Sequence, residues 1–241
     1  MDISERQKNI LLSIIDEYMK EAREVGSNEL VRNYGFRVSP ATIRNEMVKL
    51  MEMGYLSKSH ASSGRLPTDL AMRLYINEKV RDGLLNSLQE IRIRQGIFRV
   101  RFDPDELIRS ILEILVEQSE SAAFMLMGSN SRHFGASSLM NYEELRSINL
   151  LQRVLDLLED QNLLGNVFSR YQGEDVNVLI GNELGVRNLE QCAIVFVKFN
   201  FWRGQTGHMG VIGSRRMDYS TIIPALRIIR DSVESSLKGW K

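Results

Sequence analysis

Between residues 39 and 49 the chain places Ser39, Thr42, Arg44, Asn45 and Lys49, a run of hydrogen-bond donors spread over about three helical turns. These residue types suit a helix that reads a DNA major groove. Arginine donates twice to guanine, and asparagine pairs in bidentate fashion with adenine. Lysine neutralises phosphate, which supplies the sequence-independent part of affinity. Lys58, His60 and Arg65 follow, placed for a wing that reaches backbone or minor groove, although His60 fits an ordinary exposed loop histidine equally well. From residue 32 to 73 seven basic residues (Arg32, Arg37, Arg44, Lys49, Lys58, Arg65, Arg73) stand against Glu46, Glu52 and Asp69, a net of +4. The whole chain balances 31 Lys plus Arg against 31 Asp plus Glu, so positive charge is concentrated around this candidate face. Glu46 sits awkwardly among DNA-facing residues unless it pairs with an arginine or accepts from a cytosine amino group. The same polar face also suits a protein-interaction module that never touches DNA.

Other chemistry finds little support. The single cysteine, Cys192, excludes an intramolecular disulfide and a cysteine-rich zinc site. It borders the apolar run Ala193 to Val197, as a buried thiol does more often than a nucleophile. His133 and His208 stand apart from other ligand-type residues, so no metal site is expected. There is no P-loop, G-x-S-x-G or H-E-x-x-H, and no catalytic centre or cofactor is anticipated. Gly204, Gly207, Gly210 and Gly213 recur every third residue, a spacing suited to turns and close backbone approach. The acidic start Met1-Asp2-Ile3-Ser4-Glu5 and the lack of a long apolar run argue against a signal peptide or a membrane span and for the cytoplasm.

Apolar periodicity supplies the elements that must hold the donors. Residues 4 to 22 form an amphipathic helix through Ile10, Leu11, Ile14, Ile15 and Tyr18, with Ser4 as N-cap. A second helix, capped by Ser27, ends at Gly35. The third, residues 39–53, starts at Ser39 with Pro40 in the first helical position. Ile43, Met47 and Leu50 make its buried stripe, and Thr42, Arg44, Asn45 and Lys49 lie mostly off it. Residues 55–67 read as a two-stranded wing around Ala61-Ser62-Ser63-Gly64. Thr68 caps a fourth helix with Leu70, Leu74, Tyr75 and Val80 apolar. A winged helix-turn-helix over 1–80 is the result. A linker helix over 81–102 carries Leu84, Leu85, Leu88 and Ile91 until Gly96 interrupts. Residues 103–241 then mix helices with strands near 122–127, 176–180, 192–199 and 208–212, a loop over 128–138, and a last helix through Ile222, Leu226, Ile229, Val233 and Leu237. The fold class is α+β.

Several separate segments resemble one family, the heat-inducible transcription repressor HrcA of bacteria. They are Glu5-Arg6-Gln7, Val25-Gly26-Ser27, Val38-Ser39-Pro40-Ala41-Thr42-Ile43-Arg44-Asn45-Glu46-Met47, Gly54-Tyr55-Leu56, His60 to Thr68, Arg73-Leu74-Tyr75-Ile76, Val178 to Glu183 and Gly207 to Tyr219. The resemblance implies a winged helix followed by a GAF-like regulatory and self-association domain. It implies a homodimer that binds double-stranded DNA at an inverted-repeat operator of heat-shock and chaperone genes, with activity dependent on the chaperonin GroEL. It also implies a shortened member, because only residues 103–127 fill the space where usual members carry most of an inserted dimerisation domain. A second reading keeps the same DNA-binding half and gives the C-terminal domain a ligand pocket, making the protein a metabolite-responsive regulator.

Overall fold

The computed structural model describes all residues except 1–2, 59–63, 81–82, 129, 172–174, 202–204 and 238–241. The chain divides into two compact units, Met1–Lys79 and Val80–Lys241.

In the first unit α1 (Glu5–Glu21) begins at a capping box, where Gln7 N donates to Ser4 Oγ and Ser4 N to Gln7 Oε1. Its face of Ile10, Leu11, Ile14, Ile15 and Tyr18 is buried. Val25 and Arg65 then exchange both backbone hydrogen bonds at 3.0 Å. That bridge keeps Val25 extended, so the N-cap of α2 (Ser27–Tyr34) is Gly26. Ser27, expected as the cap, is a buried first-turn residue instead. The third helix, α3 (Pro40–Glu52), is capped by Ser39 as its sequence predicts. Gly54 turns the chain away at φ +82°, a conformation that favours glycine. The wing strands β1 (Leu56–Ser57) and β2 (Leu66–Pro67) pair antiparallel. Thr68 caps α4 (Asp69–Tyr75), which passes into a π-turn over Ile76–Val80. Here the expected face shifts, because the buried residues are Ala71, Met72, Ile76 and Val80, while Leu70 is exposed.

The second unit is built on a five-stranded antiparallel sheet in the order β4-β3-β7-β6-β5. Its strands are β3 (Ala122–Met127), β4 (Asn130–Phe134), β5 (Asn177–Ile180), β6 (Cys192–Asn200) and β7 (Thr206–Ser214). On one face Phe124, Leu126, Ile194, Phe196 and Ile212 form a core with Val154, Leu157 and Leu158 of α7 (Ile148–Glu159) and Leu164 and Phe168 of α8 (Gln161–Ser169). The period of two places Ala123, Met125, Val195 and Val197 on the other face, where α6 (Pro104–Ser119) and α9 (Tyr219–Leu237) pack.

β4 occupies the stretch expected to be loop. It is an edge strand that alternates exposed and half-buried residues, entered through Gly128 at φ +56°, so no apolar run announces it. β7 explains the recurring glycines. A Cβ at Gly207 would stand 2.7 Å from the Leu126 carbonyl oxygen, and one at Gly210 would strike the backbone of Val195 and Phe196. Gly204 lies outside the described residues.

The helix expected within 81–102 is α5 (Ser87–Val100), which packs against α6 and α9. Gly96 does not interrupt it. A Cβ there would meet Ile114 Cδ1 of α6 at 3.1 Å, so the glycine lets the two helices approach. The helix also faces the opposite way from its most obvious apolar stripe. Ile93 and Ile97 are buried, whereas Leu84, Leu88 and Ile91 are exposed, together with Phe98 and Phe102.

Candidate nucleic-acid interface

α3 turns Ile43, Glu46, Met47 and Leu50 inward and leaves Ala41, Arg44, Asn45, Val48, Lys49 and Glu52 exposed. Among the described residues neither Arg44 nor Asn45 has a hydrogen-bond or ion-pair partner, so both side chains present their donors to solvent side by side. Ser39 and Thr42 are engaged differently. Ser39 Oγ accepts the Thr42 backbone N–H at 3.2 Å and lies 2.9 Å from Thr42 Oγ1. These two hydroxyls hold the helix start, which satisfies backbone groups that otherwise have no intrahelical partner.

Lys58 is exposed just beyond β1. Arg65 sits at the base of the wing, half-buried, its backbone bonded to Val25 and its Nη1 donating to the Gly64 carbonyl at 3.0 Å. Gly64 is required by this bridge, since a Cβ would stand 2.8 Å from the Val25 carbonyl oxygen. His60 lies outside the described residues.

Glu46, the residue out of place in the sequence, is 3% exposed. Arg6 Nη2 of α1 donates to its Oε1 at 2.5 Å and Gln7 Nε2 to its Oε2 at 3.0 Å. Burial alone would raise its pKa, but these two bonds, together with the positive charges of Arg6 and Lys49, outweigh it and hold the carboxyl below the usual range. The carboxylate therefore locks α3 onto α1 and is withdrawn from the exposed face. Lys49 Nζ lies 3.6 Å from the same oxygen and keeps half of its side chain in solvent. Arg6 and Gln7 support α3 through Glu46, and periodicity does not reveal them. Their only signal was the tripeptide Glu5-Arg6-Gln7 among the family-like segments. Elsewhere in the unit Glu17 accepts from Lys20, Tyr34 Oη and Asn33, and Glu29 pairs with Arg23, so these acids too are tied internally.

Residues 2–80 match the family model described as the winged helix-turn-helix transcription repressor HrcA, DNA-binding, and residues 58–223 match that of the HrcA protein C-terminal domain. The chain belongs to the HrcA family. The heat-inducible transcription repressor HrcA of Symbiobacterium thermophilum is 25% identical over 329 aligned positions, covering 94% of this chain and 96% of the relative. That of Carboxydothermus hydrogenoformans is 23% identical over 328 positions, with the same coverage. These alignments exceed the 241 residues of the chain, so the HrcA relatives carry segments with no counterpart here. A crystal structure described as a hypothetical protein at 2.2 Å resolution shares the fold, with a TM-score of 0.79 at 17% identity over 99% of both chains. As an HrcA protein the chain is a transcription repressor with a DNA-binding winged helix.

The metabolite-responsive reading loses ground on the same findings. The sheet face beside α8 is filled by side chains, with the Phe168 ring 5.5 Å from Phe124 and 4.5 Å from Phe196. Cys192 is fully buried, and burial pushes its thiol up to about 12. Among the described residues no helix is long and apolar enough to cross a membrane.

Proposed function

We propose that α3 enters the major groove of an inverted-repeat operator, with Arg44 and Asn45 contacting bases and Lys49, Lys58, His60 and Arg65 holding phosphate or minor groove. Ser39 and Thr42 contribute at the helix start, chiefly by fixing the backbone that carries the base readers. The observation that supports this most strongly is the pairing of Arg44 with Asn45, exposed and adjacent, on a helix whose Glu46 is turned inward onto Arg6. The controlled genes are those of heat shock and chaperones, and the chaperonin GroEL is the partner through which activity responds to stress.

The repressor acts as a homodimer, since one winged helix alone would leave affinity near the non-specific level of about 10⁻⁴ to 10⁻⁶ M and an inverted repeat is read by two-fold symmetry. The exposed stripe Leu84, Leu88, Ile91, Phe98 and Phe102 supports α5 as the self-association face. Within α5 its members Leu88, Ile91 and Phe98 are three and seven residues apart, which keeps them on one side of the helix, as in a helix–helix seam. Its side chains offer on the order of 500 Å² per copy, near the lower bound for a specific interface. Fluorescence anisotropy with an HrcA-type inverted repeat and a scrambled duplex, at two salt concentrations, tests the reading. Tight, salt-sensitive binding to the repeat alone is expected. Equal weak binding to both duplexes would overturn it.

A further inference from the structure

Two residues on the exposed face of α3, Ala41 and Val48, have no hydrogen-bonding side chain, and Val48 is the bulkier of them. Val48 is 42% exposed and aligned with Ala41 and Glu52, along the line opposite the buried Ile43 and Leu50 at 100° per residue. Arg44 and Asn45 lie one turn before it, to either side of that line. A lone valine elsewhere on a surface needs no explanation, but this one stands in the middle of the face that meets the bases. Being β-branched, it holds essentially one rotamer in a helix, so its methyls point to a fixed place. The base edges of the major groove present one apolar group, the C5-methyl of thymine.

We propose that Val48 reads a thymine methyl, and that the recognition code of this repressor includes an apolar contact beside the Arg44 and Asn45 hydrogen bonds. The proposal rests on the groove reading above. Val48 lies four residues beyond Arg44, about 6 Å along the helix axis. At 3.4 Å per base step the thymine falls within about two base pairs of the base that Arg44 contacts.

The test begins with a duplex selected by the full chain from a randomised pool. Each thymine of the selected half-site is then replaced singly by deoxyuridine, which removes only the methyl. Affinities are measured for the wild type, Val48→Ala and Arg44→Ala. For the wild type one replacement should weaken binding about fourfold, the ratio that follows from burying roughly one methyl-sized group. Val48→Ala should bind the unmodified duplex about fourfold more weakly and be indifferent to that replacement. Val48 is exposed and alanine is the better helix former, so the variant keeps its fold. Identical deoxyuridine profiles for the wild type and Val48→Ala would overturn the proposal, while Arg44→Ala that relaxes one base position would leave groove reading intact. If Arg44→Ala weakens every sequence equally, the base-reading assignment of α3 fails, and that of Val48 fails with it.

Discussion

Arg6→Ala isolates the contact that ties the DNA-reading helix to its support. It removes the 2.5 Å bond to Glu46 and leaves that carboxylate with Gln7 at 3.0 Å and Lys49 at 3.6 Å. Glu46 is 3% exposed, so it regains water only if α3 moves away from α1. A hydrogen bond to a charged group contributes about 1.5–3 kcal/mol, and breaking a fully buried pair costs about 3–5 kcal/mol. The Arg6 side chain is 56% exposed, and solvent screening places the loss at the low end, about 1.5–2 kcal/mol. Amide hydrogen exchange in α1 and α3 of the full chain should quicken by roughly ten- to thirtyfold. Exchange is the right probe because residues 1–79 contain no tryptophan whose emission could follow them. Introduced into Glu46→Gln, the same arginine replacement should have a much smaller effect. Unchanged exchange in α3, or an undiminished effect in the Glu46→Gln background, would refute the role assigned to this pair.

Acid titration offers a second view of Glu46. Its folded carboxyl is held low, so its contribution is complete above the unfolded value of roughly 4.3 and disappears as pH falls through the folded one. Glu46→Gln should therefore flatten part of the acid-side loss of stability followed by circular dichroism. Glu17, Glu29 and Glu144, also held low by their partners, keep their share of the loss. Arg44→Ala should cost about 1–3 kcal/mol on the operator and relax preference at one base pair, as read by binding to a panel of single-base variants. Phe98→Glu should shift sedimenting dimers to monomers without altering the helical signal. Because Arg92 and Arg99 are exposed beside the α5 stripe, added salt should strengthen the wild-type dimer while it weakens DNA binding.

The winged helix is legible in sequence because local signals carry it. Ser4, Ser39, Pro40, Gly54 and Thr68 each act at a helix end within their own turn, and Ile43, Met47 and Leu50 repeat with the helix. Contacts distant in sequence leave no such trace. Nothing around Glu46 announces that Arg6, forty residues earlier, neutralises it, nor around Arg65 that its backbone pairs with Val25. Spacing also reveals a stripe without saying which way it faces. Just before and on α5 the leucines at 84 and 88 look like core, yet Ile93 and Ile97 are what the neighbouring helices cover. α8, absent from the sequence reading, is short and capped by Asp160, whose side chain accepts from Asn162 and Leu163 N–H. It follows α7 after the single residue Asp160, and its nine residues are too few to show a clear helical repeat.

The position of β7 in the sheet has a consequence for how the polypeptide is made. Ala122 pairs with Ile212 and Cys192 with Ser214, so the last of the described strands lies at the centre, between two strand pairs that no other ladder joins among the described residues. Until it emerges, β3–β4 and β5–β6 are separate pieces with unpaired inner edges. The first 79 residues form a compact unit of their own. During translation a finished DNA-reading unit thus precedes an unfinished sheet, whose closure spans about 90 residues of sequence and belongs to the slow, aggregation-exposed class of folding steps.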